Sequence, residues 1–307
     1  MTFRKLGFWL APWALLGALP AAAEPRVPAA APAAEPHPAL WLLADEDTKI
    51  YLFGTVHVLP PGFRWRSPAF DKAVAEASEL VVETYVPPDA GQAELEGLEG
   101  FFSPTPVPPL LDRVPKKHRK ALKKLVKASG LPMPVLDSMH SWAAAMTLGV
   151  AQAMAGYGVS DPAQAPGVED WVEEAFRKAG KPIVSVEKPD AVLVGMSSLP
   201  EALQREMLVE AIGTGPAEVE AGEAPVDETE WAAGKAEAMD LSGDETFPPA
   251  MFDILVRRRN AAWSEWLAER MRKPGTLLFA VGAGHLAGKE SVQEMLAARG
   301  LKVERID

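Results

Sequence analysis

Short apolar runs that alternate with amphipathic stretches limit the folds this chain can adopt. The apolar runs have the length of buried strands and lie at residues 39–43, 50–54, 80–86, 182–186, 277–281 and 301–306. Stretches with helical spacing lie at about residues 67–78, 114–129, 139–155, 170–179, 200–213 and 249–272. This alternation predicts an α/β fold, and we expect a mixed central sheet covered by helices in a single domain over residues 39–307.

The N-terminal part of the chain differs from the rest in composition. Arg4 and Lys5 precede an apolar stretch at residues 6–19, and three alanines at 21–23 stand before Glu24. This pattern is typical of a secretory signal peptide that comprises residues 1–23, with an uncleaved N-terminal anchor as the alternative. Residues 24–38 are rich in Pro and Ala, which predicts an extended linker. We therefore expect a periplasmic or secreted protein.

Charge and composition exclude several classes of protein. The chain has 31 Lys and Arg against 42 Asp and Glu, a net charge of −11, whereas nucleic-acid binders present a basic face to phosphates. It has no Cys, which excludes a disulfide scaffold, a thiolate zinc site, an iron–sulfur cluster and a cysteine nucleophile. Beyond residue 23 no uninterrupted apolar stretch reaches the roughly 18 residues of a membrane span, so we expect none after signal cleavage.

An acidic segment lies at residues 216–246. It contains ten acidic residues and a single base, Lys235. Such a composition favours solvation over burial. We expect a solvated, flexible excursion with one short helix at about residues 230–238.

The chain contains one short pattern twice: an apolar strand that stops at a glycine, with a histidine three residues later. The first copy ends in Gly54-Thr-Val-His57 and the second in Gly282-Ala-Gly-His285. Glycine allows close backbone approach, and groups just beyond strand ends line the ligand crevice of an α/β sheet. If the two strands lie side by side and run the same way, both imidazoles point into one crevice. A single histidine of this kind is more often structural.

Glu83 lies in the apolar run at 80–86, where an ionised carboxylate needs a partner. One interpretation is a metal site, because two His and one carboxylate form a three-ligand set for a divalent transition metal. The other is a buried ion pair with Arg257, Arg258 or Arg259. The two are compatible, since an arginine beside a metal could also stabilise a developing oxyanion.

These motifs resemble those of the TraB/GumN (Tiki-like) proteins, whose fold is related to the EreA/ChaN group. The resemblance covers most of residues 40–307 and rests on the segments 52–60, 175–182, 259–263 and 281–288, together with Glu83 and Glu187. It implies an α/β fold with both Gly-x-x-His motifs and Glu83 at one site. It also implies a link to metal-dependent proteolysis, described for animal Tiki members, to inactivation or sequestration of peptide signals, and to a polysaccharide gene cluster.

The residues and the resemblance together lead to a functional hypothesis. We expect a divalent-metal-dependent hydrolase of the bacterial envelope that acts on peptide bonds of a peptide or protein substrate. His57 and His285 would bind the ion (Mn, Co or Zn), and Glu83 would be a third ligand or the general base. Arg259 would stabilise the oxyanion, with Asn260 as a second donor. The alternatives are a non-catalytic peptide-binding protein and an accessory factor of exopolysaccharide production.

Overall fold

The structure is a computed structural model that describes residues 35–87, 96–159, 166–213, 226–242 and 247–307. The predicted signal peptide, 1–23, lies outside the described residues, as does the linker up to residue 34. Within the described ranges, no helix combines the length and apolar character that a membrane crossing requires.

One mixed sheet of six strands forms the centre of the fold, in the order β4-β3-β5-β2-β1-β6. The strands are β1 (Leu40–Ala44), β2 (Thr48–Thr55), β3 (Glu79–Val82), β4 (Ile183–Ser185), β5 (Gly275–Gly282) and β6 (Val303–Arg305). Each lies on one of the six apolar runs, which confirms the predicted α/β class and mixed sheet. Strands β4, β3, β5 and β2 are parallel, whereas β1 is antiparallel to β2 and β6. The carboxyl ends of four strands therefore meet at one edge of the sheet.

The α-helices of the described residues are Pro68–Glu76, Arg119–Ser129, Met133–Ser138, Ser141–Gly156, Val168–Lys178, Pro189–Ser197, Glu201–Gly213, Val226–Ala232, Pro249–Phe252, Arg258–Arg270 and Val292–Ala298. A π-helical turn, Asp253–Arg257, joins two of them. The first helix starts where the sequence predicts, because the Ser67 side chain accepts a hydrogen bond from the Phe70 amide and Pro68 takes the first position. Gly130 and Gly180, with φ of 69° and 64°, follow two helix ends as left-handed caps.

The contacts of this single α/β domain divide it into two compact units. Among the described residues, the sheet unit comprises those within 35–85, 166–188 and 226–307, and the helical unit those within 86–159 and 189–213. In the helical unit, Arg113 is buried and its guanidinium donates to the carbonyls of Pro108, Asp137 and Met139. These bonds satisfy a charged group in the core without a carboxylate.

Helices cover both faces of the sheet in the sheet unit. On one face, Leu52 and Phe279 pack with Trp263 and Leu267 of the helix Arg258–Arg270. Phe53 points to the other face because side chains alternate along a strand, and its ring centroid lies 4.3 Å from that of Phe70. Two buried aromatic rings at such a distance stabilise the fold by more than the burial of their surface area alone.

The described part of the acidic segment, residues 226–242, is packed rather than solvated. The helix Val226–Ala232 places Trp231 against Phe53, and the Trp231 indole donates to the Gly54 carbonyl at 3.0 Å. Trp231 is 2% exposed. The expected helix at 230–238 is thus replaced by this helix and a 3₁₀ turn, Ala236–Met239. The acidic composition is a poor guide here, because Trp231, Met239 and Leu241 of this segment are buried.

Candidate functional site

The two Gly-x-x-His motifs lie at the ends of neighbouring parallel strands. Strands β2 and β5 pair in parallel register, with Thr55 opposite Gly282. His57 follows two residues after Thr55 and His285 three residues after Gly282. The condition set by the sequence, strands side by side and running the same way, is met.

Gly54 is required by a close approach of backbone segments. A Cβ atom on Gly54 would lie 2.8 Å from Ala283 Cα, well inside van der Waals contact. Gly282 has a different role: its φ of −48° is open to any residue, and its amide donates to Glu83 Oε1 at 2.7 Å. Both glycines shape the strand ends: Gly54 allows the close approach of the backbone, and Gly282 donates its N–H to Glu83.

Gly54→Ala should lower the free energy of unfolding by about 1–3 kcal/mol, because the added methyl group overpacks a contact made by backbone. Gly156→Ala is the matched control, since a Cβ there meets nothing within 4 Å. We expect the control to change stability by no more than about 1 kcal/mol. Chemical denaturation of both variants checks this, and equal stability for the two would contradict the close approach.

Glu83 is the first residue beyond β3, which ends at Val82 rather than at the predicted residue 86. Its carboxylate accepts from the Gly282 amide through Oε1 and pairs with Arg259 through Oε2. Arg257 and Arg258 are not its partners, because Arg257 pairs with Glu290 and Arg258 with Asp253, and both arginine side chains are at least half exposed. The buried ion pair is therefore present, and Arg259 supplies it.

Arg259 is the centre of the polar cluster and has every donor engaged. Its Nε and Nη2 donate to the two oxygens of Glu187 at 2.9 and 2.7 Å, and Nη2 also donates to Glu83. Nη1 donates to the Leu255 carbonyl and lies 3.1 Å from His285 Nε2. A guanidinium has five N–H donors, so none remains for a substrate oxygen in this arrangement. Arg259 thus positions other groups, and the expected oxyanion role finds no support in its contacts.

Asn260 fixes the tautomer of His285. Its amide nitrogen donates to the carbonyls of His285 and Glu290 at 3.2 and 2.7 Å, so its Oδ1 faces His285 Nδ1 at 2.5 Å. His285 therefore carries its proton on Nδ1 and accepts from Arg259 at Nε2. Both amide hydrogens of Asn260 are used, so it too is a positioning residue rather than an oxyanion donor.

His57 forms a pair with Glu169, a residue that the sequence analysis missed. Glu169 Oε1 lies 3.0 Å from His57 Nδ1 and also accepts from the Thr55 hydroxyl. Glu169 lies in the first turn of the helix Val168–Lys178, which leads into parallel strand β4. A helix that enters a parallel strand begins at the carboxyl edge of the sheet, and this rule could have pointed to Glu169.

Two buried atoms of the His57–Glu169 pair lack a hydrogen-bond partner among the described residues. They are His57 Nε2 and Glu169 Oε2. The side chains of His57, Glu83, Glu169 and Glu187 are 12–17% exposed, so the cluster reaches the surface. Glu169 therefore orients His57, whose Nε2 lies buried and without a hydrogen-bond partner among the described residues.

The pKa values of His57 and His285 shift in opposite directions because the two imidazoles have different surroundings. Burial lowers the pKa of His57, but Glu169, with Glu83 and Asp170, outweighs burial and raises it to about 8. Burial lowers the pKa of His285 well below its usual value, and the charges of Arg259 and His57 lower it further. At neutral pH His57 is mostly protonated and His285 is neutral.

The protonated His57 should stabilise the fold at low pH. Because its pKa lies above the ordinary value of 6.5, this stabilisation is fully present below about pH 6.5 and is lost as the pH rises through about 8. A rise of 1.5 units corresponds to about 2 kcal/mol. The difference in unfolding free energy between wild type and His57→Gln, measured by urea denaturation across this range, should shrink by that amount. A constant difference would show that His57 gains no such stabilisation.

The proposed ligands His57, His285 and Glu83 do not fit a metal ion in the described arrangement. Among the described residues, no group of three or more His, Asp or Glu side chains is arranged to hold one. Arg259 also opposes a metal ion here, because its guanidinium pairs with Glu83 and lies 3.1 Å from His285 Nε2. A cation already faces two of the three donors.

Comparison with known proteins agrees with the motifs. The TraB/PrgY/gumN family matches residues 39–305. The chain is similar to the uncharacterized protein YbaP of Escherichia coli (strain K12) and to YbaP of Shigella flexneri, each 23% identical over 268 residues that cover 84% of this chain and 92% of the relative. No solved structure gives a significant match. The resemblance inferred from the motifs is confirmed, and the chain belongs to the TraB/PrgY/gumN family.

Proposed function

We propose that this chain is a hydrolase in which the His57–Glu169 pair activates water for attack on a carbonyl group. The observation that supports it is the orientation of His57: Nδ1 is held by Glu169 at 3.0 Å, and the buried Nε2 has no partner among the described residues. A histidine oriented by a carboxylate through one nitrogen uses the other nitrogen for proton transfer.

His57 alone can carry out both proton transfers that hydrolysis requires. In its neutral form, Nε2 accepts a proton from water as the water oxygen bonds to the carbonyl carbon. The resulting imidazolium, stabilised by Glu169, then donates that proton to the leaving group as the scissile bond breaks. The fraction of neutral His57 is small at neutral pH and reaches half at about pH 8.

The Arg259 cluster would hold the neighbouring wall of the site rather than take part in chemistry. Arg259 joins Glu83 after β3, Glu187 after β4 and His285 after β5. These links tie three strand ends together beside His57. Rigid placement of this kind is what a preorganised site needs.

Peptides are the substrates that we propose, and the cell envelope is the location. The first rests on the resemblance to family members linked with proteolysis and peptide signals. The second rests on the signal-peptide pattern at residues 1–23. Analysis of peptide-cleavage products from the mature exported protein therefore gives the appropriate assay.

The pH dependence of cleavage tests this function. Mature wild type, incubated with a mixture of synthetic peptides, should show kcat/KM that rises with pH to about 8 as His57 loses its proton. Glu169→Gln removes the main group that raises this pKa, so the acid limb should move toward the ordinary value of 6.5 and the maximal rate should fall. An unchanged acid limb in Glu169→Gln would contradict His57 as the base, and no cleavage by wild type would favour a binding protein.

A further inference from the structure

The Arg259 guanidinium lies where three anionic or lone-pair donors converge. Glu83 and Glu187 pair with it, and His285 Nε2 lies 3.1 Å from Nη1. The Arg259 side chain is 7% exposed and His285 is fully buried, so the donors meet out of bulk water. The face of Trp263 lies against the guanidinium, 4.6 Å from its central carbon.

Two carboxylates and one neutral imidazole are also a donor set that divalent transition metals favour. His285 has the matching tautomer, because its Nδ1–H donates to Asn260 Oδ1 and its Nε2 lone pair faces the guanidinium. The same donors that would ligate an ion thus surround a cation that belongs to the chain. Two cations in one small, poorly solvated space repel each other strongly.

We propose that Arg259 occupies the cation position of this site, so that wild type binds no divalent ion through His285. The guanidinium forms ion pairs with both carboxylates, and each of the three donors faces one of its N–H groups. Removal of the guanidinium leaves Glu83, Glu187 and His285 facing one another without a cation. These three donors then form a new divalent-metal site in the Arg259→Ala variant.

Elemental analysis tests the proposal without reference to activity. Mature wild type, Arg259→Ala and Arg258→Ala are each dialysed with zinc and then against ion-free buffer. Arg258 is the matched control, because it is the next residue along the helix and its side chain is 72% exposed. The zinc content that depends on His285 should be close to zero in wild type and in Arg258→Ala. In Arg259→Ala it should be about one ion per chain. Adding His285→Ala to Arg259→Ala should abolish that uptake.

Thermal melts give a second measurement. Zinc should raise the melting temperature of Arg259→Ala, while wild type and Arg259→Lys, which keeps a cation, should not respond. If Arg259→Ala does not fold, Arg259→Gln, which keeps more of the side chain, replaces it. Stoichiometric zinc in wild type that is lost in His285→Ala would overturn the proposal. A folded Arg259→Ala or Arg259→Gln without zinc uptake would overturn it as well.

Discussion

Arg259→Met should lower the free energy of unfolding by about 3–5 kcal/mol, the largest stability loss we expect from a single substitution at this site. Breaking a buried ion pair from one side leaves an uncompensated charge, and here two carboxylates, Glu83 and Glu187, lose their partner together. Burial and the charge of Glu83 already raise the pKa of Glu187, although Arg259 opposes both. Without Arg259 we expect Glu187 to take up a proton, which limits the loss.

Two comparisons separate this electrostatic effect from lost packing. Arg258→Met removes an exposed arginine from the same helix and should change stability by less than about 1 kcal/mol. Combining Arg259→Met with Glu83→Gln and Glu187→Gln removes the unpaired charges and should recover part of the loss. Equal stability for Arg259→Met and Arg258→Met in urea denaturation would contradict a buried cluster held by Arg259.

His57→Gln should reduce kcat/KM for peptide cleavage by about 10²–10⁴-fold, because a positioned general base contributes that much to a hydrolytic rate. Gln keeps a polar side chain but cannot accept and return a proton near neutral pH. The melting temperature should remain close enough to that of wild type at pH 8 for the folded variant to be assayed, since little of the His57 stabilisation remains there.

His118→Gln is the matched control for this loss. His118 ends a short 3₁₀ turn in the helical unit and is not part of the polar cluster. We expect it to cleave peptides at the wild-type rate. Equal activity of His57→Gln and His118→Gln would remove His57 from the chemistry.

The strands, and the placement of the two histidines beyond neighbouring parallel strands, could be predicted because both signals are local. Each of the six strands lies on an apolar run, and each histidine follows three residues after a glycine at a strand end, although the register offsets the two motifs by one residue. Residues just beyond the carboxyl ends of neighbouring parallel strands lie at the same edge of a sheet. Gly54 likewise has the close backbone approach that its position between strand and histidine suggests.

Other parts of the site depend on contacts that local patterns do not carry. The sequence offers three consecutive arginines, and only the rotation of the helix Arg258–Arg270 puts Arg259 inside and Arg258 outside. Glu169 meets His57 because a distant helix begins at the same sheet edge, where Gly167 approaches the His57 backbone. The acidic character of residues 226–242 hid the contribution of Trp231, which is buried together with Met239 and Leu241.

Peptide cleavage in ¹⁸O-labelled water tests the central claim most directly, because hydrolysis puts one oxygen from water into each new carboxyl terminus. The wild-type protein should yield new peptide termini that carry one ¹⁸O atom, as measured by mass spectrometry, and His118→Gln should yield the same products. His57→Gln should yield almost none in the same time. Labelled products from His57→Gln at the wild-type rate, or no labelled products from wild type, would contradict a hydrolase that depends on His57.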